Sequence, residues 1–312
     1  MYRIGVDLGG TNIAAGIVDE SGKIIRSAST PTLATRPYAD VIADMGKLVN
    51  ALIAESGIAK DQFESVGVGS PGAIKNGIVV FANNLGWYNV PLAAELNKHT
   101  GLPVYADNDA NVAALAEYSF GACKGYQNSM TITLGTGIGS GIVINGKLYS
   151  GSHGVGAELG HMCVEVGGIP CSCGNSGCWE RYGSATALIR EGREGMARDS
   201  QSMINTLAQG DPEKVTAKTV IDAAKAGDKT ACEIFDKYIE YITMGLINIV
   251  NCFDPDVIAI GGGVAGAGKF LLDAIEKSYE DHVFYKDIPH AKICFAEMGN
   301  DAGIIGAAML TE

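Results

Sequence analysis

The chain has 312 residues, a formal net charge of -12 at pH 7 and 42 glycines. Its length suits two lobes better than a single core. The acidic balance, without any cluster of Lys and Arg, argues against a surface that binds nucleic acid or an anionic membrane. The N-terminus enters a strand pattern with no apolar leader, and the most apolar stretch, 239–253, is too short to span a bilayer. We therefore expect a cytoplasmic protein.

The first thirty or so residues are predicted to form three strands, at 2–8, 12–18 and 23–30. The turn between the first two reads Asp-Leu-Gly-Gly-Thr-Asn. Its adjacent glycines let backbone N–H groups approach a ligand, and its Thr and Asn add side-chain donors. Together with the carboxylate, this set suits phosphates and a magnesium ion. A plain Gly-Gly hairpin with Asp and Asn as turn formers is the alternative. The candidate residues are Asp7, Gly9, Gly10, Thr11 and Asn12.

A second group of polar residues follows a strand predicted at 103–106. The pattern before it predicts a helix at 38–56, a strand at 65–69, a segment at 79–87 that contains Asn84, and a short helix at 92–100. These further elements place the strand at 103–106 in an α/β sheet.

The strand at 103–106 ends on Asp107-Asn108-Asp109, directly before a helix that runs to about residue 121. Open α/β sheets place ligands at this position. Asp109 is the sharpest candidate for chemistry, as a general base that accepts a hydroxyl proton in phosphoryl transfer. One of the three residues could instead cap the helix, which leaves the other two to be explained.

The pattern of the N-terminus recurs from Ser129, with Leu134 aligned to Leu8. Each copy is an apolar strand, a glycine turn with Thr, and a second apolar strand. Two such hairpins could grip the phosphates of one nucleotide, although chance similarity between glycine hairpins is the alternative. Neither has the Gly-x-Gly-x-x-Gly spacing of a dinucleotide site. The second set of candidates is Gly135, Thr136, Gly137 and Gly139.

One histidine and three cysteines lie close together between residues 158 and 180. They are His161, Cys171, Cys173 and Cys178, and they match a tetrahedral Cys3His site for structural zinc. A disulfide is the competing interpretation, but a bridge between Cys171 and Cys173 would be strained, and three cysteines leave one unpaired. Two carboxylates, Glu158 and Glu180, flank the ligands and are not needed to hold the metal.

The remaining chain alternates helices with two strands. Helices are predicted at 185–198, 202–209, 217–226, 229–253, 268–279 and 301–310, and strands at 257–260 and 292–296. The first of these strands runs into Gly261, Gly262 and Gly263. This triple glycine could let adenine and ribose lie against the backbone, or it could simply form a tight turn.

Taken together, these residues closely resemble the ROK family of sugar kinases and repressors, and most of all its bacterial, glucose-phosphorylating branch. The most specific part is Glu-x-x-His followed by Cys-x-Cys-Gly-x-x-Gly-Cys-x-Glu, which ends at Glu180. The resemblance implies an α/β, two-lobed actin-like ATPase (ribonuclease H-like) fold with a duplicated βββαβαβα core and an interlobe cleft. Residues 1–120 would form a small lobe, onto which a helix at about 300–312 packs back. Residues 121–299 would form the large lobe.

The resemblance also implies roles for the candidates. Asp109 would be the base, and Gly261–Gly263 would hold adenosine beside the two phosphate loops, with ATP, Mg²⁺ and structural Zn²⁺ as cofactors. The expected reaction is phosphorylation of glucose at the 6-hydroxyl in glycolysis. The implied hexose ligands are Asn84, Asn108, Asp109, Glu158, His161 and Glu180.

Other outcomes stay open at this point. Relatives act on N-acetylmannosamine, N-acetylglucosamine, fructose, mannose or allose, and a sugar-binding regulator without activity is a further possibility. A repressor would carry a DNA-binding segment before the Asp-x-Gly-Gly-Thr motif, which here begins at residue 7. We expect no nucleic-acid or membrane partner, and a homodimer or a dimer of dimers.

Overall fold

The computed structural model describes residues 1–311. The strands are β1 (Tyr2–Leu8), β2 (Asn12–Val18), β3 (Ile24–Pro31), β4 (Phe63–Ser70), β5 (Ala73–Lys75), β6 (Ile78–Ala82), β7 (Trp87–Val90), β8 (Val104–Asn108), β9 (Ser129–Leu134), β10 (Ile138–Ile144), β11 (Lys147–Leu148), β12 (Val257–Gly261) and β13 (Lys292–Phe295). The α-helices are α1 (Tyr38–Ser56), α2 (Leu92–Thr100), α3 (Asp109–Phe120), α4 (Glu180–Gly183), α5 (Ala185–Arg198), α6 (Met203–Leu207), α7 (Ala217–Lys225), α8 (Lys229–Phe253), α9 (Lys269–His282) and α10 (Ala302–Ala308).

The first sheet has the strand order β3-β2-β1-β4-β8. Strand β1 is antiparallel to β2 and parallel to β4, which is parallel to β8. The carboxyl ends of β1, β4 and β8 therefore meet at one edge of the sheet. In the register, Asp7 is opposite Gly69, and Gly69 is opposite Asp107. The sheet thus brings the two acidic strand ends into one row.

The two faces of β1 are covered in different ways. Ile4, Val6 and Leu8 are fully buried in an apolar core that also contains buried side chains of α1. On the other face, α10 packs against the backbone. A Cβ added at Gly5 would lie only 1.8 Å from the carbonyl oxygen of Ile304, so this close approach requires glycine.

The second sheet has the order β11-β10-β9-β12-β13, and β5-β6-β7 form a third, small sheet. Along the chain, β1-β2-β3-α1-β4-α2-β8-α3 gives one βββαβαβα series, interrupted by the small sheet. A second series runs through β9-β10-β11, a group of helices, β12, α9, β13 and α10. This duplicated α/β arrangement confirms the predicted fold class. The small sheet is an addition that the sequence patterns did not predict.

The chain divides into two compact units. One comprises Met1–Thr131, Gly141–Ala157 and the chain from Ala296, and the other comprises Ile132–Ser140 and Glu158–Phe295. Below they are called the N-terminal unit and the zinc-loop unit. Among residues 1–311, no helix combines the length and the apolar character that a membrane crossing needs.

Candidate functional site

In the N-terminal unit, the turn between β1 and β2 forms a hairpin at the residues predicted to bind phosphate. The N–H of Gly9 donates to the carbonyl oxygen of Asn12 at 2.9 Å and closes the turn. Gly10 lies beside Asn84, since a Cβ at Gly10 would be 3.8 Å from the Cβ of Asn84. The structure therefore brings this hexose candidate next to the hairpin.

The carboxylate of Asp7 lies at the end of β1, where α10 approaches closely. A Cβ added at Gly303 would lie 2.6 Å from Oδ2 of Asp7. Burial raises the pKa of the Asp7 carboxyl above its usual range, because its charged form loses contact with water. A partly desolvated oxygen ligand of this kind suits a hard divalent cation such as Mg²⁺.

At the end of β8, the structure decides which polar residue caps α3. The side-chain oxygen of Asn108 accepts from the N–H groups of Ala110 at 2.8 Å and Asn111 at 3.4 Å, so Asn108 is the N-cap. Its amide nitrogen donates to the carbonyl oxygen of Gly72 at 3.0 Å. The capping role therefore belongs to the middle residue of the three.

The two aspartates beside Asn108 differ in environment. Oδ1 of Asp107 accepts from the N–H of Asn108 at 2.6 Å and from Nδ2 of Asn111 at 2.8 Å, and Oδ2 accepts from Ser150 Oγ at 3.3 Å. The carboxylate of Asp107 thus accepts hydrogen bonds from within the N-terminal unit on both oxygens. Asp109 is exposed at the first position of α3, where its Oδ1 accepts from the N–H of Ala110 at 2.9 Å. Of the two, Asp109 is the carboxylate that an incoming substrate can reach.

In the zinc-loop unit, the four predicted metal ligands converge. The ligand atoms of His161, Cys171, Cys173 and Cys178 all lie within 4.8 Å of one another. Nδ1 of His161 is 3.6 Å from Sγ of Cys171, and the Sγ atoms of Cys173 and Cys178 are 3.5 Å apart. In a tetrahedral site with Zn–S bonds of about 2.3 Å, two sulfur ligands lie about 3.8 Å apart. The donor set and its spacing therefore fit zinc.

The thiols of this cluster are free, with no disulfide among them. Burial raises the pKa of Cys178 to about 12, and neighbouring thiols add to the effect. Burial also raises the pKa of Cys171, whereas the N–H of Asn175 lowers that of Cys173. Since a metal binds the thiolate form, it must displace protons from this set when it binds.

The cysteine cluster is joined to α8 by aromatic side chains that pack against this helix. Trp179 is fully buried, and its Nε1 donates to the carbonyl oxygen of Tyr241 at 2.8 Å. Tyr182 stacks on Tyr241 with ring centroids 4.5 Å apart and accepts from the N–H of Ile169 at 2.7 Å. The sequence patterns did not predict these aromatic contacts with α8. Their only sign in the sequence was the position of Trp179 between Cys178 and Glu180.

Glu180 contacts both the cluster and the second glycine hairpin. Its Oε1 lies 3.1 Å from Sγ of Cys171 and 3.8 Å from Nδ1 of His161. A Cβ added at Gly137 would lie 2.5 Å from its Oε2. Glu158 is exposed one turn before His161, and the next residue's N–H donates to Ser140 Oγ in β10 at 3.0 Å. The carboxylate of Glu180 and the backbone next to Glu158 therefore lie close to β10 and its hairpin.

The triple glycine lies against the end of β9. Gly262 has a φ of +84°, and a Cβ there would lie 2.5 Å from the carbonyl oxygen of Leu134. In the second hairpin, the N–H of Gly135 donates to the carbonyl oxygen of Gly137 at 3.0 Å. A cavity of about 200 Å³ adjoins Gly263 and is lined on its other side by α7, including Lys218, Asp222 and Lys225. The sequence patterns gave no signal for the α7 wall.

Two glycine hairpins, an exposed carboxylate at a strand end and a loop of polar groups are the features expected of a sugar kinase of the actin-like ATPase fold. The chain belongs to the ROK family, whose model matches residues 3–312. It is 40% identical to the glucokinase of Thermotoga maritima, over 98% of this chain and 96% of that protein.

Solved structures agree with this assignment. The ROK family glucokinase of Streptomyces griseus, in complex with glucose and AMPPNP, is 37% identical with a TM-score of 0.82, over 99% of this chain and 98% of that one. The ROK hexokinase of Thermus thermophilus is 32% identical with a TM-score of 0.83, over 99% of this chain and 97% of that one.

Proposed function

We propose that this chain transfers the terminal phosphoryl group of ATP to the 6-hydroxyl of glucose. The observation that carries the proposal is the match, over 99% of the chain, to a Streptomyces griseus glucokinase that holds glucose and AMPPNP. The side chains described above supply the groups that such a reaction needs. They include a reachable carboxylate and two amide-rich hairpins, with amides in the N-terminal unit and carboxylates in both units that suit a polyol.

On the acceptor side, Asp109 is the proposed base. Its exposure leaves it able to accept the proton of the 6-hydroxyl as that oxygen attacks phosphorus in line. Each sugar hydroxyl both donates and accepts, so mixed amide, carboxylate and imidazole ligands suit it. The proposed hexose ligands are Asn84, Asn108, Asp109, Glu158, His161 and Glu180.

On the nucleotide side, the glycine loops hold ATP in this proposal. Apart from the N–H groups of Gly9 and Gly135, which close the two turns, backbone N–H groups within Gly9–Asn12 and Gly135–Gly139 would bind phosphate oxygens. Gly261 to Gly263 would carry the adenosine. Asp7 would hold Mg²⁺, which neutralises charge on the transferred phosphoryl group. The raised pKa of Asp7 fits this role, because a cation restores the stabilisation that burial removes from the carboxylate.

The proposed zinc has a structural role. Four protein ligands leave no open position for water, so the metal takes no part in the chemistry. With Nδ1 of His161 turned to the thiols, its other ring nitrogen points away from the cluster and can meet a sugar hydroxyl. Zinc would thereby fix both the tautomer and the orientation of that ligand.

A hexose panel tests the activity and the acceptor together. Purified protein with ATP and Mg²⁺ is assayed by coupled ADP detection against glucose, mannose, fructose, allose, N-acetylglucosamine and N-acetylmannosamine. We expect the highest kcat/KM with glucose. A higher kcat/KM for another sugar would move the assignment within the kinases, and no sugar-dependent ADP release would contradict a kinase altogether.

The role of Asp109 is tested by Asp109→Asn. Loss of a general base lowers turnover by about 10²- to 10⁴-fold, while the melting temperature and zinc content should stay unchanged. Asp61→Asn is the matched control, because Asp61 is also an exposed aspartate in the first turn of a helix, in this case the single 3-10 turn Lys60–Gln62. It precedes β4, at the opposite edge of the sheet from Asp109. Near-parental turnover in Asp109→Asn would refute the assignment.

A further inference from the structure

The segment that follows β3 is bonded to the first phosphate hairpin through one residue, Thr32. This side chain is fully buried, and its hydroxyl donates to the carbonyl oxygen of Gly9 at 2.6 Å. The backbone N–H of Thr32 donates to the carbonyl oxygen of Thr11 at 2.9 Å. A single residue therefore holds two carbonyl groups of the hairpin.

These two bonds also set the direction of two N–H groups. In a planar trans peptide, the carbonyl of one residue and the N–H of the next point in opposite directions. With the carbonyls of Gly9 and Thr11 turned toward Thr32, the N–H groups of Gly10 and Asn12 point away from it. Backbone N–H groups that face out of a turn can bind an anion.

The segment is in turn fixed by Arg36. Leu33 has a φ of +49°, a left-handed conformation that a residue with a branched side chain adopts only when its surroundings hold it there. The guanidinium of Arg36 donates to the carbonyl oxygens of Thr32 at 3.2 Å and Leu33 at 3.4 Å. It also pairs with Asp44 of α1 at 2.8 Å. The carbonyl group of Thr32 is thus fixed as well, by the guanidinium of Arg36.

We infer that Thr32 is a positioning residue for the nucleotide phosphates, and that Arg36 supports it through the turn at Leu33. The inference rests on the proposed function, in which the first hairpin binds ATP. A buried threonine often bonds the nearest carbonyl for packing alone. Here both donors of Thr32 end on carbonyls of the hairpin, so losing the hydroxyl should change how the hairpin meets phosphate.

The test replaces the hydroxyl at nearly constant volume. In Thr32→Val, the carbonyl of Gly9 loses its donor and the peptide that carries the N–H of Gly10 can rotate. We expect the KM for ATP to rise about 10-fold, with the KM for glucose within twofold of the parent value. The dissociation constant of Mg-ATP, measured by calorimetry without sugar, should rise by a similar factor. Thr32→Ser keeps the hydroxyl and should restore both values.

Two further variants separate positioning from stability. Thr243→Val removes a fully buried hydroxyl that donates to Ser278 Oγ at 2.9 Å in the zinc-loop unit, and it should lower the melting temperature without changing the KM for ATP. Arg36→Gln acts from the half-exposed side of the turn and leaves the core intact. It should raise the KM for ATP about 2- to 5-fold, which keeps the test open if Thr32→Val does not fold.

The outcomes distinguish this inference from the proposed function. If the parent phosphorylates glucose and Thr32→Val keeps its ATP affinity, or raises both KM values alike, the positioning role is overturned. If the parent binds Mg-ATP but phosphorylates no hexose, the proposed function fails, and the calorimetric comparison still decides the role of Thr32. A parent that neither binds Mg-ATP nor turns over overturns both.

Discussion

Replacing Gly245 by alanine tests how strictly α8 supports the cysteine cluster. Gly245 lies within α8, and a Cβ there would be 2.0 Å from Cε2 of Trp179. The indole cannot easily yield, because it is fully buried and its Nε1 is bonded to the carbonyl oxygen of Tyr241. An alanine must therefore displace the ring, and with it the backbone between Cys178 and Glu180.

Two effects of opposite sign compete in Gly245→Ala. Alanine in a helix interior is favoured over glycine by about 1 kcal/mol. Overpacking a filled site costs about 1 to 3 kcal/mol, and breaking the indole hydrogen bond adds about 1 kcal/mol. The clash should win, with a net loss of roughly 1 to 3 kcal/mol and a melting temperature lower by a few degrees.

The assay combines thermal melting with zinc affinity, measured by competition with a chromophoric chelator, and with the KM for glucose. Both the affinity and the KM should worsen, since Cys178 and Glu180 move with the ring. In the double variant Gly245→Ala/Trp179→Phe, the smaller ring makes room, so the two losses should be less than additive. A Gly245→Ala protein as stable as the parent or more stable, with parental zinc affinity, would refute the reasoning.

Three other perturbations have defined outcomes. Because burial raises the pKa of Asp7, the charged carboxylate opposes folding above the ordinary carboxyl pKa. Asp7→Asn should therefore have a higher melting temperature than the metal-free parent at pH 7.5, and the difference should vanish in acid. The same variant should lose about 10²-fold or more in turnover. Cys173→Ser should lose stoichiometric zinc on mass spectrometry and raise the KM for glucose more than that for ATP. Equal changes in the two KM values would contradict the proposal that the metal holds the hexose ligands Glu158, His161 and Glu180 in place. The hydrogen bond that His290 donates to Glu280 raises the pKa of His290. This pair therefore stabilises the protein below about pH 6.5 and loses the effect as pH rises through the raised value. Glu280→Gln should destabilise by under about 1 kcal/mol at pH 5.5 and not measurably at pH 8.5, as chemical denaturation can check.

Local patterns were enough to predict most of the fold. Alternating apolar residues gave β1 and β2 with the bounds that the structure has, and spacing of three and four gave α1 and α8. The small sheet β5–β7 was missed because its strands have only three to five residues and are separated by turns. Periodicity over so few residues does not distinguish a strand from a loop.

The candidate site was predictable where its residues are close in sequence. The four predicted zinc ligands converge because the chain turns back between residues 158 and 180, which Gly177 permits with a φ of +79°. At the end of β8, by contrast, the pattern left three residues as possible caps. Only the hydrogen bonds of Asn108 and Asp107 separate them, and the bond from Ser150 to Asp107 joins residues that are far apart in sequence. Contacts between residues so far apart in the sequence produce no periodic pattern from which they could be predicted.

Glu180 contacts both the cysteine cluster and the second glycine hairpin of the zinc-loop unit. One of its oxygens lies against the thiol of Cys171, and the other lies where a side chain at Gly137 would have to be. Glycine is therefore required at position 137 for space, in addition to the backbone contact with phosphate proposed for this hairpin. If Cys171 bound a metal as its thiolate, it would no longer donate to Glu180, and the carboxylate would need another donor. In the proposed function that donor is a sugar hydroxyl, which gives a physical reason why the metal loop and the hexose ligands occupy the same stretch of chain.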